Sequence, residues 1–247
     1  METIHILGVK IDNVNMDQAE EQVWSWLEME GGGNHMIVTP NPEILYRAYH
    51  DSAYRDVLNS ADLTLPDGIG VVYGAKILGT PLQERVPGYE LCCRILKGLE
   101  QHGKRVFLLG GKPGVAQLAA RKVVERYPGA SVAGVCDGYF KDDQAVIEQI
   151  NQSGADFLMV CMGFPRQEHW IYQYKDQLKV KASIGAGGSV DVLAGTVKRA
   201  PAFFCKTGLE WFYRLMKQPW RIKRMMDLPK FLGTVIGKKM KGDGANA

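Results

Sequence analysis

Short apolar runs alternate along the chain with stretches that have the periodicity of amphipathic helices. From residue 105 onward, successive apolar runs begin about 25 residues apart, which is the spacing of consecutive βα units. The pattern therefore predicts an α/β fold, a Rossmann-like layered sheet with helices on both faces. The predicted strands occupy residues 35–39, 61–65, 105–109, 131–135, 157–162 and 182–185.

Glycine-rich turns follow the later strands, and helices are predicted to begin near Pro42, after Gly114 and after Pro165. In open α/β sheets, ligands bind beyond the carboxyl ends of the strands, so these turns are expected to line one cleft. We expect two parts, a body over residues 1–197 and a helical C-terminal appendage over residues 198–247.

Charge is distributed unevenly between these two parts. The whole chain has a net charge of +3, but residues 198–247 contain 12 Lys or Arg and three acidic residues, a net +9. The first 197 residues therefore carry 3 − 9 = −6. An acidic body with a basic tail indicates that the tail meets an anionic partner.

The tail also has the composition of an interfacial membrane element. Arg214, Lys217, Arg221 and Arg224 fall on one face of a helix if Pro219 only kinks it. Basic and aromatic residues on one helix are typical of segments that lie on a membrane surface. A solvated face packed on the body is the alternative, and nucleic-acid binding is disfavoured by the acidic body and the missing motifs. The nearby apolar side chains are Trp211, Phe212, Tyr213, Trp220, Met225, Met226 and Phe231.

Cysteine usage and hydropathy favour a cytoplasmic protein that is peripheral on the inner face of the plasma membrane. The five cysteines have no zinc-binding spacing, and Cys136 and Cys161 lie in strand-like runs, as buried thiols of a reducing compartment do. Residues 1–10 do not resemble a signal peptide. No apolar run approaches the roughly 18 residues that a membrane span requires.

Two strand-to-helix junctions carry the first candidate site residues. In the segment TPNPE, Asn41 suits an N-cap, and the Thr39 hydroxyl and helix N-terminus are alternatively ligand-binding groups. In LPDGIG, Asp67 is either a cap of the helix that follows or a general base at a strand end.

The glycine turns supply the candidate nucleotide-binding residues. Each turn also has a purely structural interpretation, as a tight turn or a helix start. The segment GFPRQE offers Gln167 and an arginine as donors at a helix start. The candidates are Gly110, Gly111, Asp137, Gly163, Gly187 and Asp191.

Metal and cofactor signatures are missing from the sequence. The five histidines lack metal-ligand spacing, and there is no D-x-D pair to hold a divalent ion on a nucleotide diphosphate. The turn after residue 109 is neither a Walker A motif nor G-x-G-x-x-G. We therefore expect neither a metal nor a cofactor.

Taken in order, the motifs resemble the WecG/TagA/CpsF family of bacterial glycosyltransferases. Each segment alone is weak, but the ordered set is specific and spans essentially the whole chain. The matching segments are TPNPEI (39–44), LPDGIG (65–70), ERVPG (84–88), LLGG (108–111), DGYF (137–140), GFPRQE (163–168), GAGGSVDVLAG (185–195), KRAP (198–201) and GLEWFYRLMKQPWRIKRM (208–225).

The resemblance implies an inverting, metal-independent transferase. Family members move N-acetylmannosamine, or a related sugar, from UDP to undecaprenyl-pyrophosphate-linked N-acetylglucosamine, as in the linkage unit of wall teichoic acid. Asp67 falls on the family's proposed base, and Thr39, Asn41, Arg85 and Gln167 fall on positions around the reacting sugars and pyrophosphate. The C-terminal arginines, Arg214, Arg221 and Arg224, match those of an appendage that completes the active site at the membrane.

Several alternatives remain open at this point. The donor is UDP-N-acetylmannosamine, its uronic acid or a glucose-type UDP-sugar, and the sequence leaves a homo-oligomer possible. A Rossmann-type oxidoreductase lacks its fingerprint here. A non-enzymatic UDP-binding membrane protein would have no need to keep Asp67, Arg85 and Gln167 together.

Overall fold

A computed structural model describes residues 2–201, 203–204, 207–217, 222 and 226–242, without the side chain of Arg214. The strands are β1 Thr3–Ile6, β2 Val9–Asp12, β3 His35–Val38, β4 Leu63–Thr64, β5 Arg105–Gly110, β6 Ser131–Cys136, β7 Phe157–Cys161 and β8 Ala182–Gly185. The helices are α1 Met16–Glu28, α2 Pro42–His50, α3 Ser52–Asn59, α4 Ile69–Leu78, α5 Gly88–Gly98, α6 Val115–Arg126, α7 Asp143–Ser153, α8 Arg166–Tyr174, α9 Ser189–Leu193, α10 Glu210–Lys217 and α11 Asp227–Met240.

Six of the strands form one parallel sheet in the order β4-β3-β8-β7-β5-β6. All six were predicted from the sequence, although β4 is only two residues long instead of five. The chain builds outward through β3 and β4 on one side and through β5 and β6 on the other, and β7 and β8 fill the middle. The carboxyl ends of β3, β8, β7 and β5 therefore lie side by side, where ligands bind in such sheets.

Alternate residues of the central strands enter two separate cores, one on each face of the sheet. In β5, Phe107 and Leu109 pack into one core, whereas Val106 and Leu108 pack into the other. Because successive side chains of a strand point to opposite faces, both faces must be covered by helices. The predicted Rossmann-like arrangement is confirmed.

A β-hairpin at the N-terminus was not predicted from the sequence. Strands β1 and β2 pair antiparallel with Ile6 opposite Val9, through a two-residue turn at Leu7 and Gly8. Both turn residues have positive φ, 52° and 81°, the conformation that matches the twist of a hairpin. The Asp12 carboxylate then accepts from the backbone N–H of Thr64 at 2.8 Å, which joins the hairpin to β4.

The last helix, α11, packs against α2 and α4. Phe231 and Val235 are fully buried and belong to the same core as Phe107. Gly70 and Gly74 of α4 make room for this helix, because a Cβ at either residue would lie 2.9 Å from Leu228 or Phe231. The predicted appendage is thus joined to the body through its last helix, α11. The boundary between residues 197 and 198 stays a prediction.

Within the described part of the chain, every helix falls short of the length and apolar character that crossing a bilayer demands.

Candidate active site

A cavity of about 640 Å³ lies beyond the carboxyl ends of the sheet strands. The residues that follow β3, β5, β7 and β8 all reach it: Thr39, Gly111, Gly163 and Gly187. The turn after β6 contributes Gly138. The expectation that the glycine turns share one cleft is therefore confirmed.

A second cavity of about 180 Å³ adjoins the first. Its walls include the start of α4, Trp211 of α10 and Leu228 of α11, so the C-terminal segment forms one side. Five residues line both cavities: Asn41, Glu43, Asp67, Tyr89 and Arg199. They mark the junction at which molecules held in the two cavities would meet.

Asp67 lies half-buried at this junction. Its backbone N–H donates to Pro40 O at 3.3 Å, which ties the two predicted junction motifs together, and its Oδ2 accepts from Gly88 N at 3.5 Å. The N-cap of α4 is Gly68, at φ 100°, and no side chain caps this helix. The interpretation of Asp67 as a helix cap is therefore wrong, and the residue lines both cavities.

Thr39 and Asn41 line the first cavity through groups that also hold the fold. The buried Thr39 hydroxyl donates to Gly185 O at 2.9 Å, which connects the ends of β3 and β8. Asn41 is the N-cap of α2, as predicted, and its Oδ1 accepts from Ile44 N at 3.0 Å. A Cβ at Gly88 would lie 2.6 Å from Thr39 Cγ2, so α5 can approach this closely only with glycine there.

Gln167 lies beneath the cavity and clamps two of its turns. Its Oε1 accepts from Gly163 N at 3.2 Å and from Gly187 N at 3.0 Å. Its Nε2 donates to Glu168 Oε1 at 2.7 Å, so the predicted donor to a ligand is directed at the protein. The residue lines the cavity, but its observed contacts are those of a support for the turns after β7 and β8.

Glu168 and Tyr54 continue this network into the core. Glu168 is 1% exposed, and its Oε2 accepts from the Tyr54 hydroxyl at 3.1 Å. Burial disfavours the charged form and raises the pKa of Glu168 above its ordinary value. The same burial, together with the neighbouring Glu168 carboxylate, raises the pKa of Tyr54, which therefore stays a neutral donor.

The other predicted nucleotide-binding residues divide into two groups. Gly111, Gly163, Gly187 and Asp191 line the first cavity. Gly110 does not line it, but its φ is 136° and a Cβ there would lie 2.3 Å from Cys161 O, so glycine is required where β5 meets β7. Asp137 also lies outside the lining, and its Oδ1 accepts from Tyr139 N at 2.8 Å, which stabilises the turn after β6.

Arg166 follows the same pattern of support. Its Nη1 donates to Gly138 O at 2.6 Å, and its guanidinium lies 5.1 Å from the centre of the Phe140 ring. The side chain thus joins the start of α8 to the turn after β6, and the residue lines the first cavity.

Arg85 lines the second cavity, where the resemblance placed it near a pyrophosphate. Its guanidinium lies 4.0 Å from Glu90 Oε1 and 3.9 Å from Glu210 Oε2. The ion pair with Glu210 connects the body to α10.

Sequence reasoning missed several lining residues, among them two basic residues and two tyrosines. Tyr89 and Arg199 line both cavities, and Lys112 and Tyr139 line the first. All four lie inside or beside quoted motifs, so motif membership was the available signal. Their side chains have no distinctive chemistry in the sequence, and only the fold brings them to the cleft.

The residues that the structure describes give no evidence for catalysis by a cysteine or by a metal ion. Cys161 lies at the base of the first cavity, but burial raises the pKa of its thiol to about 12. It is therefore a neutral thiol at physiological pH, and Cys92, Cys93, Cys136 and Cys161 are all free. The described side chains contain no group of three or more histidine, cysteine or acidic residues placed to hold a metal ion.

The C-terminal arginines are only partly described. Arg214 lies in α10, and Arg221 and Arg224 lie outside the described residues. Phe231 was expected on an interfacial surface, and this was wrong, because its side chain is fully buried between α11 and the body. Phe212 and Met226 are exposed as expected, and so are three apolar side chains that were not predicted: Phe203, Met216 and Ile222.

Comparison with known proteins identifies the family. The profile described as "Glycosyl transferase WecG/TagA/CpsF family" matches residues 4–244. The chain is 44% identical over 200 residues to an N-acetylglucosaminyldiphosphoundecaprenol N-acetyl-beta-D-mannosaminyltransferase of Bacillus spizizenii, covering 81% of this chain and 78% of the relative. It is 38% identical over 239 residues to a Staphylococcus aureus protein of the same name, covering 96% of this chain and 94% of that one. The protein belongs to the WecG/TagA/CpsF family of glycosyltransferases.

Proposed function

We propose that this protein is an inverting glycosyltransferase that moves N-acetylmannosamine from UDP-N-acetylmannosamine to undecaprenyl-pyrophosphate-linked N-acetylglucosamine. This reaction builds the linkage-unit disaccharide of wall teichoic acid. The observation that carries the proposal is the place of Asp67, which lines both the strand-end cavity and the cavity under the C-terminal segment. The activity for which the relatives are named supports the choice of sugars.

The donor nucleotide is assigned to the larger cavity. Its glycine turns let the backbone approach a ligand closely, and its position beyond the strand ends is where nucleotides bind in such sheets. The acceptor sugar is assigned to the smaller cavity, because the wall formed by α10 and α11 belongs to the segment expected to meet the membrane. With this arrangement the acceptor hydroxyl and the donor's anomeric carbon meet beside Asp67.

Asp67 acts as the general base in this scheme. It takes the proton from the 4-hydroxyl of N-acetylglucosamine as that oxygen forms a bond to the anomeric carbon. The bond from the anomeric carbon to the UDP oxygen breaks on the opposite face, and UDP leaves with the bonding electrons. A single displacement of this kind inverts the anomeric configuration.

Charge that develops on the leaving UDP is stabilised by preorganised donors. Other backbone N–H groups of the turns after β5, β7 and β8 are suited to this, because those of Gly163 and Gly187 already donate to Gln167, which fixes two of these turns. The arginines Arg214, Arg221 and Arg224 are assigned to the same task, because the resemblance places them in an appendage that completes the active site, and α10, which contains Arg214, walls the adjoining cavity. The protein would then work on the cytoplasmic face of the plasma membrane, where the exposed apolar side chains of the C-terminal segment contact lipid.

A mass-spectrometric transfer assay with a panel of UDP-sugars and a short-chain lipid-pyrophosphate N-acetylglucosamine tests the proposal. Transfer from UDP-N-acetylmannosamine is expected, and exclusive use of a uronic acid or glucose-type donor would replace the substrate while keeping the reaction class. For Asp67→Asn we expect a loss of roughly 100-fold or more in kcat. Asp176→Asn, at an exposed position, removes the same charge as a control, and equal activities of the two variants would exclude Asp67 as the base.

A further inference from the structure

The junction between the two cavities carries a pair of arginines that share one carboxylate. Arg199 Nη2 forms a short hydrogen bond to Glu90 Oε1, and Arg85 Nη2 lies 4.0 Å from the same oxygen. The Arg199 guanidinium also lies 4.6 Å from the centre of the Tyr89 ring. Because Tyr89 and Glu90 are consecutive in the first turn of α5, one helix end makes both contacts to the Arg199 side chain.

Among the described basic residues, Arg199 alone lines both cavities. The first cavity is lined by Lys112, Arg166 and Arg199, and the second by Arg85 and Arg199. Arg166 is engaged with the turn after β6. Lys112 follows β5, which β7 and β8 separate from β3 and β4, and Asp67 follows β4. A cation that lines both cavities beside Asp67 is placed where the bond between sugar and pyrophosphate must break.

The proposed reaction brings two pyrophosphates to this junction, one on the donor and one on the acceptor. A planar guanidinium binds phosphate oxygens through two parallel hydrogen bonds, which a lysine ammonium cannot do. A cation over an aromatic face is attracted to the ring, which restrains the arginine side chain. The half-buried Tyr89 and the Glu90 carboxylate therefore hold Arg199 at the junction together.

We propose that Arg199 is a pyrophosphate-binding residue of this enzyme and that Glu90 is the positioning residue that holds it at the junction. The inference rests on the proposed function for the identity of the two substrates. The shared chemistry is a pyrophosphate, and either the donor or the acceptor supplies it.

The test compares Arg199→Ala and Arg199→Lys with Arg121→Ala, an arginine removed from the exposed face of α6. Calorimetric titration with UDP gives Kd, and steady-state assays give KM for each substrate at saturation of the other. Loss of a charge-assisted contact predicts that kcat/KM of Arg199→Ala falls roughly 10- to 150-fold. Arg199→Lys is expected to recover part of this loss, because it keeps the charge but not the planar fork. Glu90→Gln is expected to raise the KM of the substrate that Arg199 binds by a smaller factor, with kcat retained.

The outcomes of this experiment show whether the donor or the acceptor supplies the pyrophosphate that Arg199 binds. A raised UDP Kd and donor KM assign Arg199 to the donor, whereas a raised acceptor KM with unchanged UDP Kd assigns it to the acceptor. If Arg199→Ala matches Arg121→Ala in UDP Kd, both KM values and kcat, the inference is overturned. Thermal unfolding of each variant identifies a folding defect. If Arg199→Ala has such a defect, Arg199→Lys is compared with Arg121→Ala in its place. Failure of the proposed function would appear separately, as absent sugar transfer by the unaltered enzyme, and the UDP titration would still test Arg199 as a ligand-binding residue.

Discussion

Removal of the Phe231 side chain is expected to release the last helix while leaving the sheet intact. Phe231 is fully buried between α11 and the pair α2 and α4, and its ring lies against Gly74, where a Cβ would approach within 2.9 Å. Replacement of a buried phenylalanine by alanine costs about 3–5 kcal/mol through lost burial and the remaining cavity. An isolated helix of 14 residues is marginal in water, so α11 depends on this contact.

Hydrogen exchange followed by mass spectrometry measures this loss locally. Opening of α11 should become easier by the full 3–5 kcal/mol, which accelerates exchange of its amides by about 150- to 4,000-fold. Amides of β5 and β7 that exchange through local fluctuations should keep their rates, because such fluctuations leave the packing of α11 in place. The matched control is Ile236→Ala, at a position in the same helix that is 47% exposed.

Two results would refute this reasoning. Equal protection of α11 in Phe231→Ala and Ile236→Ala would mean that Phe231 does not anchor the helix. Acceleration spread evenly over α11, β5 and β7 would mean that α11 opens only when the whole fold opens.

Three further predictions concern the site and the tail. The raised pKa of Glu168 means that the folded protein holds this proton more tightly than the unfolded chain does. The stability that the bound proton contributes is therefore fully present below about pH 4.5 and is lost as the pH rises through the folded pKa. Urea unfolding should therefore show that the stability advantage of the unaltered protein over Glu168→Gln shrinks from pH 5 to pH 8, and an advantage that grows with pH would contradict this. Gly110→Ala is expected to destabilise the protein by roughly 1–3 kcal/mol, because its Cβ would meet Cys161 O at 2.3 Å, and thermal unfolding with Gly233→Ala as the open-position control measures it. Joint replacement of Phe212 and Met216 by serine should weaken sedimentation with anionic vesicles while leaving UDP binding unchanged, and unchanged sedimentation would remove these side chains from the membrane contact.

The parts of the fold that the sequence predicts are those in which local pattern and tertiary burial agree. The run at residues 157–162 is apolar at nearly every position, and β7 is buried on both faces of the sheet. The hairpin of β1 and β2 escaped prediction because its turn places Leu7 at φ 52°, a conformation for which the sequence carries no asparagine or aspartate signal. Strand β4 is shorter than its apolar run, because an edge strand pairs on one side only.

Some residues of the candidate site were likewise predictable from the sequence, and others were not. Asp67, Thr39 and Asn41 were predictable because a polar residue at the end of an apolar strand is visible in the sequence. The contacts of Gln167 were not, because the partners of its amide are backbone groups of two turns, four and twenty residues away. Arg199 and Tyr89 meet only because the chain after α9 returns to the first turn of α5, a long-range contact that no local pattern encodes.

The structure also changes what the charge of the C-terminal segment means. The net +9 suggested that the whole tail faces an anionic surface, but several of its cations contact the body. Arg199 pairs with Glu90, Lys230 and Lys238 lie over Tyr46 and Tyr49, and Lys239 donates to Leu78 O at 3.1 Å. Electrostatic attraction to a membrane falls off over roughly 10 Å, so cations held against the protein contribute less than cations at the surface. Most of the remaining cations lie, in sequence, between residues 206 and 224, the stretch that leads from the cavity-lining Arg199 to helix α11. Because α10 within this stretch walls the second cavity and α11 after it is anchored in the core, contact of the stretch with a membrane would act directly on the cavity assigned to the acceptor.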